Sequence, residues 1–243
     1  QTIAGLHYNF SFSDEFFNIL LPLEENKNEK ELKNEVYLHI ARNFKRFGWL
    51  YFFLYGASPA VCDSFVEKGK HGLESLPGGG LYKPNSTSLR MGDLGYISKA
   101  QDDLNISYNT LEDYCLDLEN ALTTPYKAYQ DIGEFVDDKR VQLNTSVIQI
   151  ENEYYSTIRP KRVCLTGERP VNVLRTEGIE YLELRCVDLD PFSPVGVRRD
   201  QLDFMDTLLM YCLLKESPPI GRDEAETIKN NHEKIINNGR DVS

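Results

Sequence analysis

The segment Gly178-Ile-Glu-Tyr-Leu-Glu-Leu-Arg-Cys-Val-Asp-Leu-Asp-Pro191 predicts a β-strand whose two faces differ in chemistry. Side chains of a strand alternate between opposite faces with a period of two. The apolar face consists of Leu182, Leu184 and Cys186. The other face consists of Tyr181, Glu183, Arg185 and Val187. A carboxylate and a guanidinium on a partly apolar face indicate either a half-buried ion pair or a chemical site, and this strand alone leaves both interpretations open.

A second strand with the same construction is predicted over residues 3–11. Its apolar face consists of Leu6, Tyr8 and Phe10, and its other face of Gly5, His7 and Asn9. Gly5 leaves room for a group to approach the backbone. A neutral imidazole and a carboxylate suit a divalent metal beside phosphate oxygens, and a nearby arginine suits developing phosphoryl charge. The two strands therefore predict a sheet with one apolar face that packs on the core. The opposite face, with His7, Asn9, Glu183 and Arg185, is called the reactive face.

The remaining periodicities add helices and further strands. Helical spacing or capping predicts helices over 31–55, 58–66, 110–125 and 199–215. Strands are expected at 139–144 and 147–158, the second with Gln149, Glu151, Glu153 and Tyr155 on one face, and residues 68–86 are expected to be loop. The pattern predicts an α+β fold, with a mainly antiparallel sheet and helices packed on its back.

Composition narrows the class of protein. The 243 residues, 41% of them hydrophobic, can bury one large core, and a net charge of -11 argues against nucleic acid as the main partner. The local exception is Arg159-Pro-Lys-Arg162, which is either a solvated turn or a phosphate contact. Five cysteines without a C-x-x-C pair suit a reducing cytosol, so a cytoplasmic protein is expected. The apolar run 47–57 is too short to span a bilayer, and no membrane partner is expected.

Five motifs together resemble the proteobacterial type of the glutamate-cysteine ligase family. They are QTIAGLHYNFS at 1–11, RFGWL with LYGASPAVC at 46–62, TSLRMGDLGY at 87–96, QIENEYYSTIRPKR at 149–162 and GIEYLELRCVDLDPFSPVGV at 178–197. The resemblance implies that residues 1–218 are part of the ligase catalytic domain and that 219–243 are a polar tail with some helical character. It also implies a sheet of the glutamine-synthetase type, in which a His strand and a Glu-x-Arg strand are neighbours.

The same resemblance implies that the chain is an internal fragment, inactive by itself. Family members are roughly twice as long, and their N-terminal part carries an acidic cluster with most of the metal ligands. This sequence starts at Gln1, already inside the first motif.

The resemblance further implies a reaction and a set of roles. The family uses ATP to join the γ-carboxylate of L-glutamate to the amine of L-cysteine through a γ-glutamyl phosphate, with Mg²⁺ or Mn²⁺ as the metal. The position matching Glu183 is a metal ligand, the one matching His7 lies beside it, and Arg185 is the catalytic residue that faces the transferred phosphoryl group. Asn9 matches a position near the glutamate or the water shell of the metal.

The cysteine pocket and the nucleotide contacts complete these expectations. In the family the positions matching Arg90, Tyr96 and Tyr155 line the cysteine pocket, with the arginine on the α-carboxylate. A planar guanidinium is suited to that contact. Arg159 and Arg162 are the candidate nucleotide-binding residues.

Three alternatives to the ligase remain open at this stage. One is a relative that joins glutamate to another amine. A second is a non-catalytic nucleotide-binding or regulatory protein, and a third is a structural remnant without a ligand.

Overall fold

The computed structural model describes residues 3–24, 26–66, 71–92, 94 and 98–242. The helices are α1 Asp14–Leu20, α2 Glu29–Phe47, α3 Trp49–Tyr55, α4 Leu111–Thr123, α5 Lys127–Ile132, α6 Pro170–Glu177, α7 Arg199–Leu214 and α8 Arg222–Asn238. The strands are β1 Gly5–Phe10, β2 Ala60–Cys62, β3 Glu74–Leu76, β4 Gly80–Tyr82, β5 Phe135–Val136, β6 Lys139–Arg140, β7 Ile158–Lys161 and β8 Tyr181–Asp188.

An antiparallel sheet of order β1-β8-β7 lies at the centre of the fold. The predicted apolar face of β8 is its buried face, since Leu182 and Leu184 are 0% exposed and Cys186 is 1% exposed. Helix α2 packs on β7 and β8, α3 packs on β8, and α7 packs on α2. The Tyr8 hydroxyl donates a hydrogen bond to Asp206 of α7. The α+β class, with helices behind an antiparallel sheet, is confirmed.

The long helix predicted over 31–55 is two helices. Helix α2 begins earlier because Asn28 forms a capping box with Glu31, in which each backbone N–H donates to the other residue's side chain at 3.0 Å. It ends at Phe47, and α3 follows directly after Gly48. Asn43 of α2 donates to the carbonyls of Cys212 and Lys215, which ties α2 to the end of α7.

The helix predicted over 58–66 and the loop predicted over 68–86 were wrong. Strands β2, β4 and β3 form a small antiparallel sheet in that order. The β3–β4 hairpin turns through Gly78 and Gly79, whose φ angles of 95° and 93° lie in the left-handed region that glycine adopts without strain. The glycine pair therefore marks the turn of a β-hairpin, and not only a loop.

The strands predicted at 139–144 and 147–158 were also wrong in extent. Only Lys139–Arg140 of the first pairs, with β5, and the second region contains a short 3₁₀ turn at Glu151–Glu153. The cause is Arg159, whose guanidinium donates to the carbonyls of residues 151, 152 and 154 at 3.3–3.4 Å and folds this backbone over itself. Tyr155 therefore lies in a loop before β7 rather than on the sheet.

Helix α8 packs on the body of the protein through its last turn. Ile236 is 5% exposed, and its carbonyl accepts hydrogen bonds from Thr87 N at 3.0 Å and Ser86 Oγ at 2.8 Å. The ends of helices leave carbonyls without helical partners, and these bonds satisfy one of them. Arg46 of α2 binds the Glu224 carboxylate at the other end of α8. None of the helices in the described part of the chain combines the length and apolarity needed to cross a membrane.

The stability of this packing should depend on pH through His232. Its ring packs on Phe52 with centroids 4.8 Å apart, and its Nε2 is buried without a partner among the described residues. Burial, aided by the charge of Lys45, lowers the pKa of His232 to about 4. Between pH 6.5 and about 4 the unfolded chain therefore binds more protons at this site than the folded chain, and the free energy of unfolding should fall as the pH is lowered.

We expect His232→Phe to remove part of this loss of stability in urea denaturation curves measured at several pH values. The matched control is His71→Gln. His71 lies before β3 and not on α8, so this variant should still lose stability as the pH is lowered. Parallel pH curves for His232→Phe and the parent protein would contradict the prediction.

Candidate functional site

Three of the predicted site residues lie together on the face of the sheet opposite the helices. The Nδ1 atom of His7 is 3.6 Å from Oε2 of Glu183, and Nε of Arg185 is 3.9 Å from Oε1 of the same carboxylate. The His7 side chain is 42% exposed, while those of Glu183 and Arg185 are 14% and 13% exposed. The expectation that β1 and β8 present these residues on one face is confirmed. The carboxylate is at the centre of the group and is partly desolvated.

Asn9 belongs to the same face. It is the direct cross-strand partner of Glu183 in the β1–β8 ladder, and it is exposed. Residues directly opposite each other in an antiparallel pair point to the same side of the sheet. Asn9 is therefore positioned to meet whatever binds at Glu183.

A β-bulge in β8 shifts the register of the β1–β8 pair. Tyr8 pairs with Leu184, but Leu6 pairs with Val187, so two residues of β8 lie opposite His7 alone. Such a bulge interrupts the alternation of the strand that carries the extra residue. Val187, predicted on the face of Glu183, is accordingly 2% exposed and packs in the hydrophobic core, and Gly5 pairs with Asp188 beyond the bulge.

The group that approaches Gly5 is the guanidinium of Arg90. A Cβ atom on Gly5 would lie 2.5 Å from Cζ of Arg90. Arg90 is 1% exposed, its Nε binds Oδ1 of Asp188 at 2.8 Å, and its Nη2 donates to the carbonyl of Arg185 at 2.9 Å. The structure thus holds the predicted cysteine-binding arginine in a buried ion pair next to Gly5 of β1 and the Arg185 backbone of β8.

Of the two tyrosines predicted for the cysteine pocket, the structure describes Tyr155. Tyr155 lies in the loop before β7, where its backbone N–H donates to Oε1 of Gln101 at 3.0 Å. Tyr96 lies outside the described residues.

The two arginines predicted to bind nucleotide are separated. Arg159 is the cross-strand partner of Glu183 from β7 and is 5% exposed, and its Nε is buried without a partner among the described residues. Arg162 follows the end of β7 and binds the Glu177 carboxylate at 2.9 Å and the Glu177 carbonyl at 3.0 Å. Arg159 therefore lies directly opposite Glu183 in the sheet, whereas Arg162 lies at the end of α6.

One residue of this face was missed by sequence reasoning. Lys161 is two residues after Arg159 in β7, so it lies on the same face, and its cross-strand partner is Tyr181 of β8. It is partly buried. The available signal is the spacing of two residues between Arg159 and Lys161, which puts both cations on one side of a strand.

The electrostatics of the face favour a neutral imidazole at His7. Burial lowers the pKa of His7, the charges of Arg185, Arg90 and Arg159 lower it further, and Glu183 opposes them. A neutral imidazole and an ionised carboxylate are both competent metal ligands.

A divalent cation fits this donor pair only as part of a larger ligand set. Within the described ranges, no group of three or more His, Cys, Asp or Glu side chains is arranged to hold a metal ion. Mg²⁺ is normally held by one or two protein carboxylates together with water and phosphate oxygens. Glu183 and His7 can therefore supply two ligands of such an ion.

Comparisons with known proteins agree with this geometry. A family model described as glutamate-cysteine ligase matches residues 1–235. The glutamate–cysteine ligase of Alcanivorax borkumensis is 45% identical over 248 residues, covering 100% of this chain and 47% of the relative. That of Saccharophagus degradans is 46% identical over 244 residues, covering 99% and 46%. The chain spans about half the length of the curated relatives it matches.

Solved structures give the same result. The crystal structure of glutamate–cysteine ligase from Francisella tularensis in complex with AMP matches with a TM-score of 0.86 at 38% identity, covering 98% of this chain and 46% of that one. A bifunctional glutathione synthetase from Pasteurella multocida matches with a TM-score of 0.67 at 24% identity, covering 95% and 25%, which shows a shared fold.

The close approach of Arg90 to Gly5 predicts the effect of a single methyl group. In Gly5→Ala the new Cβ would lie 2.5 Å from Cζ and 2.6 Å from Nη1 of a guanidinium fixed by Asp188. Either the ion pair or β1 must shift, and overpacking of a buried site costs about 1–3 kcal/mol. Chemical denaturation should show this loss for Gly5→Ala. The control Gly72→Ala, with no atom within 4 Å of its Cβ, should be close to the parent; equal stabilities of the two variants would refute the argument.

Proposed function

This chain belongs to the glutamate-cysteine ligase family, and from that premise we propose the activity of the complete protein. It joins the γ-carboxylate of L-glutamate to the amine of L-cysteine at the expense of ATP, through a γ-glutamyl phosphate, and so carries out the first step of glutathione biosynthesis. The observation that carries the proposal is the cluster of His7, Glu183 and Arg185 on one face of the sheet, with separations of 3.6 and 3.9 Å about the carboxylate.

In this reaction the protein contributes mainly by positioning the reactants and neutralising charge. An oxygen of the glutamate γ-carboxylate attacks the γ-phosphorus of ATP and ADP leaves. The amine of cysteine then attacks the acyl carbon, and phosphate leaves. The first step moves negative charge onto ADP, and the second moves it onto the acyl oxygen and then the leaving phosphate, so donors fixed beside these oxygens stabilise the transition states.

Glu183 and His7 would hold Mg²⁺ or Mn²⁺ as two of its ligands. When bound, the ion neutralises the phosphate oxygens of ATP. Arg185, on the same face as Glu183, is the catalytic residue of the proposal, with its guanidinium toward the transferred phosphoryl group. Its low exposure of 13% favours a strong interaction, because a charge screened by little water acts more strongly on its partner.

Substrate contacts are assigned by the same reasoning. Asn9, exposed beside Glu183, would contact the glutamate or the water shell of the metal. Arg90 is proposed to grip the α-carboxylate of cysteine, with Tyr96 and Tyr155 beside it. Arg90 would share its donors between that carboxylate and Asp188, because Nε and Nη2 already bind Asp188 and the Arg185 carbonyl.

The nucleotide is proposed to lie along β7, near Arg159, which is the cross-strand partner of Glu183. Arg162, after the end of β7, is proposed as a more distant contact. The AMP complex of the Francisella tularensis ligase supports a nucleotide site on this fold. The five free thiols are consistent with the cytoplasm as the proposed location.

The activity is tested by ATP-dependent formation of γ-glutamylcysteine by the complete protein and by Arg185→Gln. Removing one preorganised donor to developing negative charge costs about 10²- to 10³-fold in kcat. We expect that loss with little change in the Michaelis constant for cysteine. Arg199→Gln is the control, since Arg199 binds Asp203 on the exposed surface of α7. No product from the parent protein contradicts the activity, and a kcat within twofold for Arg185→Gln contradicts the role of Arg185.

The cysteine pocket is tested by Arg90→Lys. An ammonium cannot form the paired contacts of a guanidinium with a carboxylate, so the Michaelis constant for cysteine should rise far more than that for ATP. The scale for a charged hydrogen bond is about 1.5–3 kcal/mol. Thermal unfolding of the same variant separates a folding defect from a binding defect. An unchanged Michaelis constant for cysteine would contradict the assignment of Arg90 to the cysteine pocket.

A further inference from the structure

Lys161 is a cation on the face of Glu183 and Arg185 that forms no direct ion pair with any described residue. It ends β7, shares a face with Arg159 and has Tyr181 as its cross-strand partner, one step along β8 from Glu183. It is partly buried. In the described part of the chain, Lys161 Nζ has neither a carboxylate within 4.0 Å nor a hydrogen-bond acceptor.

The surroundings make this position unfavourable for an unpaired ammonium. Burial lowers the pKa of Lys161, and the nearby charges of Arg159 and Arg185 lower it further, opposed by Glu183. A charged group that loses hydration without gaining a partner destabilises the folded protein. By contrast, Lys83 binds the Asn237 side chain and Lys30 the carbonyl of Thr176.

The charge balance of the face indicates what would satisfy Lys161. Arg159 and Lys161 of β7 lie on the same face of the sheet as Glu183 and Arg185 of β8. The Nε atom of Arg159 is also buried without a partner among the described residues. Two neighbouring cationic groups, each with a donor that lacks a partner among the described residues, favour a ligand with several acceptor oxygens and more than one negative charge. A polyphosphate has both properties.

We propose that Lys161 binds a phosphate oxygen of the nucleoside triphosphate, on the same face as Glu183 and Arg185. This rests on the proposed function for the identity of the nucleotide and adds a substrate contact to it. A lysine ammonium is a compact charge with three donors on a flexible stem, which suits a phosphate group that changes position during transfer. Arg162, at the other end of the basic run, is engaged by Glu177 and is the weaker candidate.

The test is equilibrium binding of MgATP and of adenosine to the complete protein, measured by calorimetry without glutamate or cysteine. Lys161→Gln should weaken MgATP binding by about 10- to 100-fold, the scale of one charged hydrogen bond, and leave adenosine binding within about twofold. Lys161→Arg, which keeps the charge, should recover most of the affinity for MgATP. The control Lys139→Gln, on exposed strand β6, should bind MgATP like the parent protein.

Three results would overturn the inference: unchanged MgATP affinity in Lys161→Gln, an equal loss for adenosine and MgATP, or a parent protein that does not bind MgATP. Failure of the proposed function is seen separately, because a parent that binds MgATP but forms no γ-glutamylcysteine contradicts the ligase activity and leaves the Lys161 contact standing. Conversely, an active parent whose Lys161→Gln variant binds MgATP normally contradicts only the inference.

Discussion

A buried ion pair between Arg90 and Asp188 organises the part of the structure on which the site depends. Both side chains are 1% exposed. The second oxygen of Asp188 accepts hydrogen bonds from Ala57 N and Ser58 Oγ, so the pair joins β8, the segment after α3 and the loop of Arg90. Removing one partner of such a pair leaves a buried charge uncompensated, at a cost of about 3–5 kcal/mol. Because Arg90 also binds the carbonyl of Arg185, the same side chain fixes the backbone of β8 beside Glu183.

The sheet face that carries Glu183 holds several cations although the chain as a whole is acidic. The formal charge is -11, yet Arg159, Lys161 and Arg185 all lie on the face of Glu183. Long-range attraction therefore does not bring an anion to this chain, and screening at physiological salt limits any such effect to about 8 Å. Recognition must be local and depend on partly buried donors, whose interactions are screened less than those at the surface.

The sequence predicted those features of the site that follow from strict alternation. In β8, alternation separated the buried Leu182 and Leu184 from Glu183 and Arg185, and in β1 it placed His7 and Asn9 on the side of Glu183. It failed at Val187, which is buried in the core, since the bulge in β8 depends on the pairing with β1 and leaves no mark in the alternation of β8 itself.

The other failures also arose from long-range contacts. Residues 147–157 have the alternation of a strand, but the buried Arg159 guanidinium binds three carbonyls of this segment and holds it in a compact loop. Lys161 was missed because its position on the face follows from the pairing of β7 with β8, which periodicity within β7 does not supply alone. The two outcomes have one cause: local patterns give the side on which a residue lies, and only strand pairing gives its neighbours.

The bulge in β8 opposite His7 divides the β1–β8 ladder into two parts. On one side of it, Asn9 and Phe10 keep the register 9↔183 and 10↔182, and on the other, Gly5 and Leu6 keep a register one residue further along β8. Loss of a single residue of β8 at this point would convert the ladder to regular pairing and move Asp188 out of its place opposite Gly5. Relatives that differ by a one-residue deletion here would therefore differ in the chemistry of the face, even with every site residue type preserved. Insertions and deletions, more than substitutions, are the changes that this strand can least accommodate.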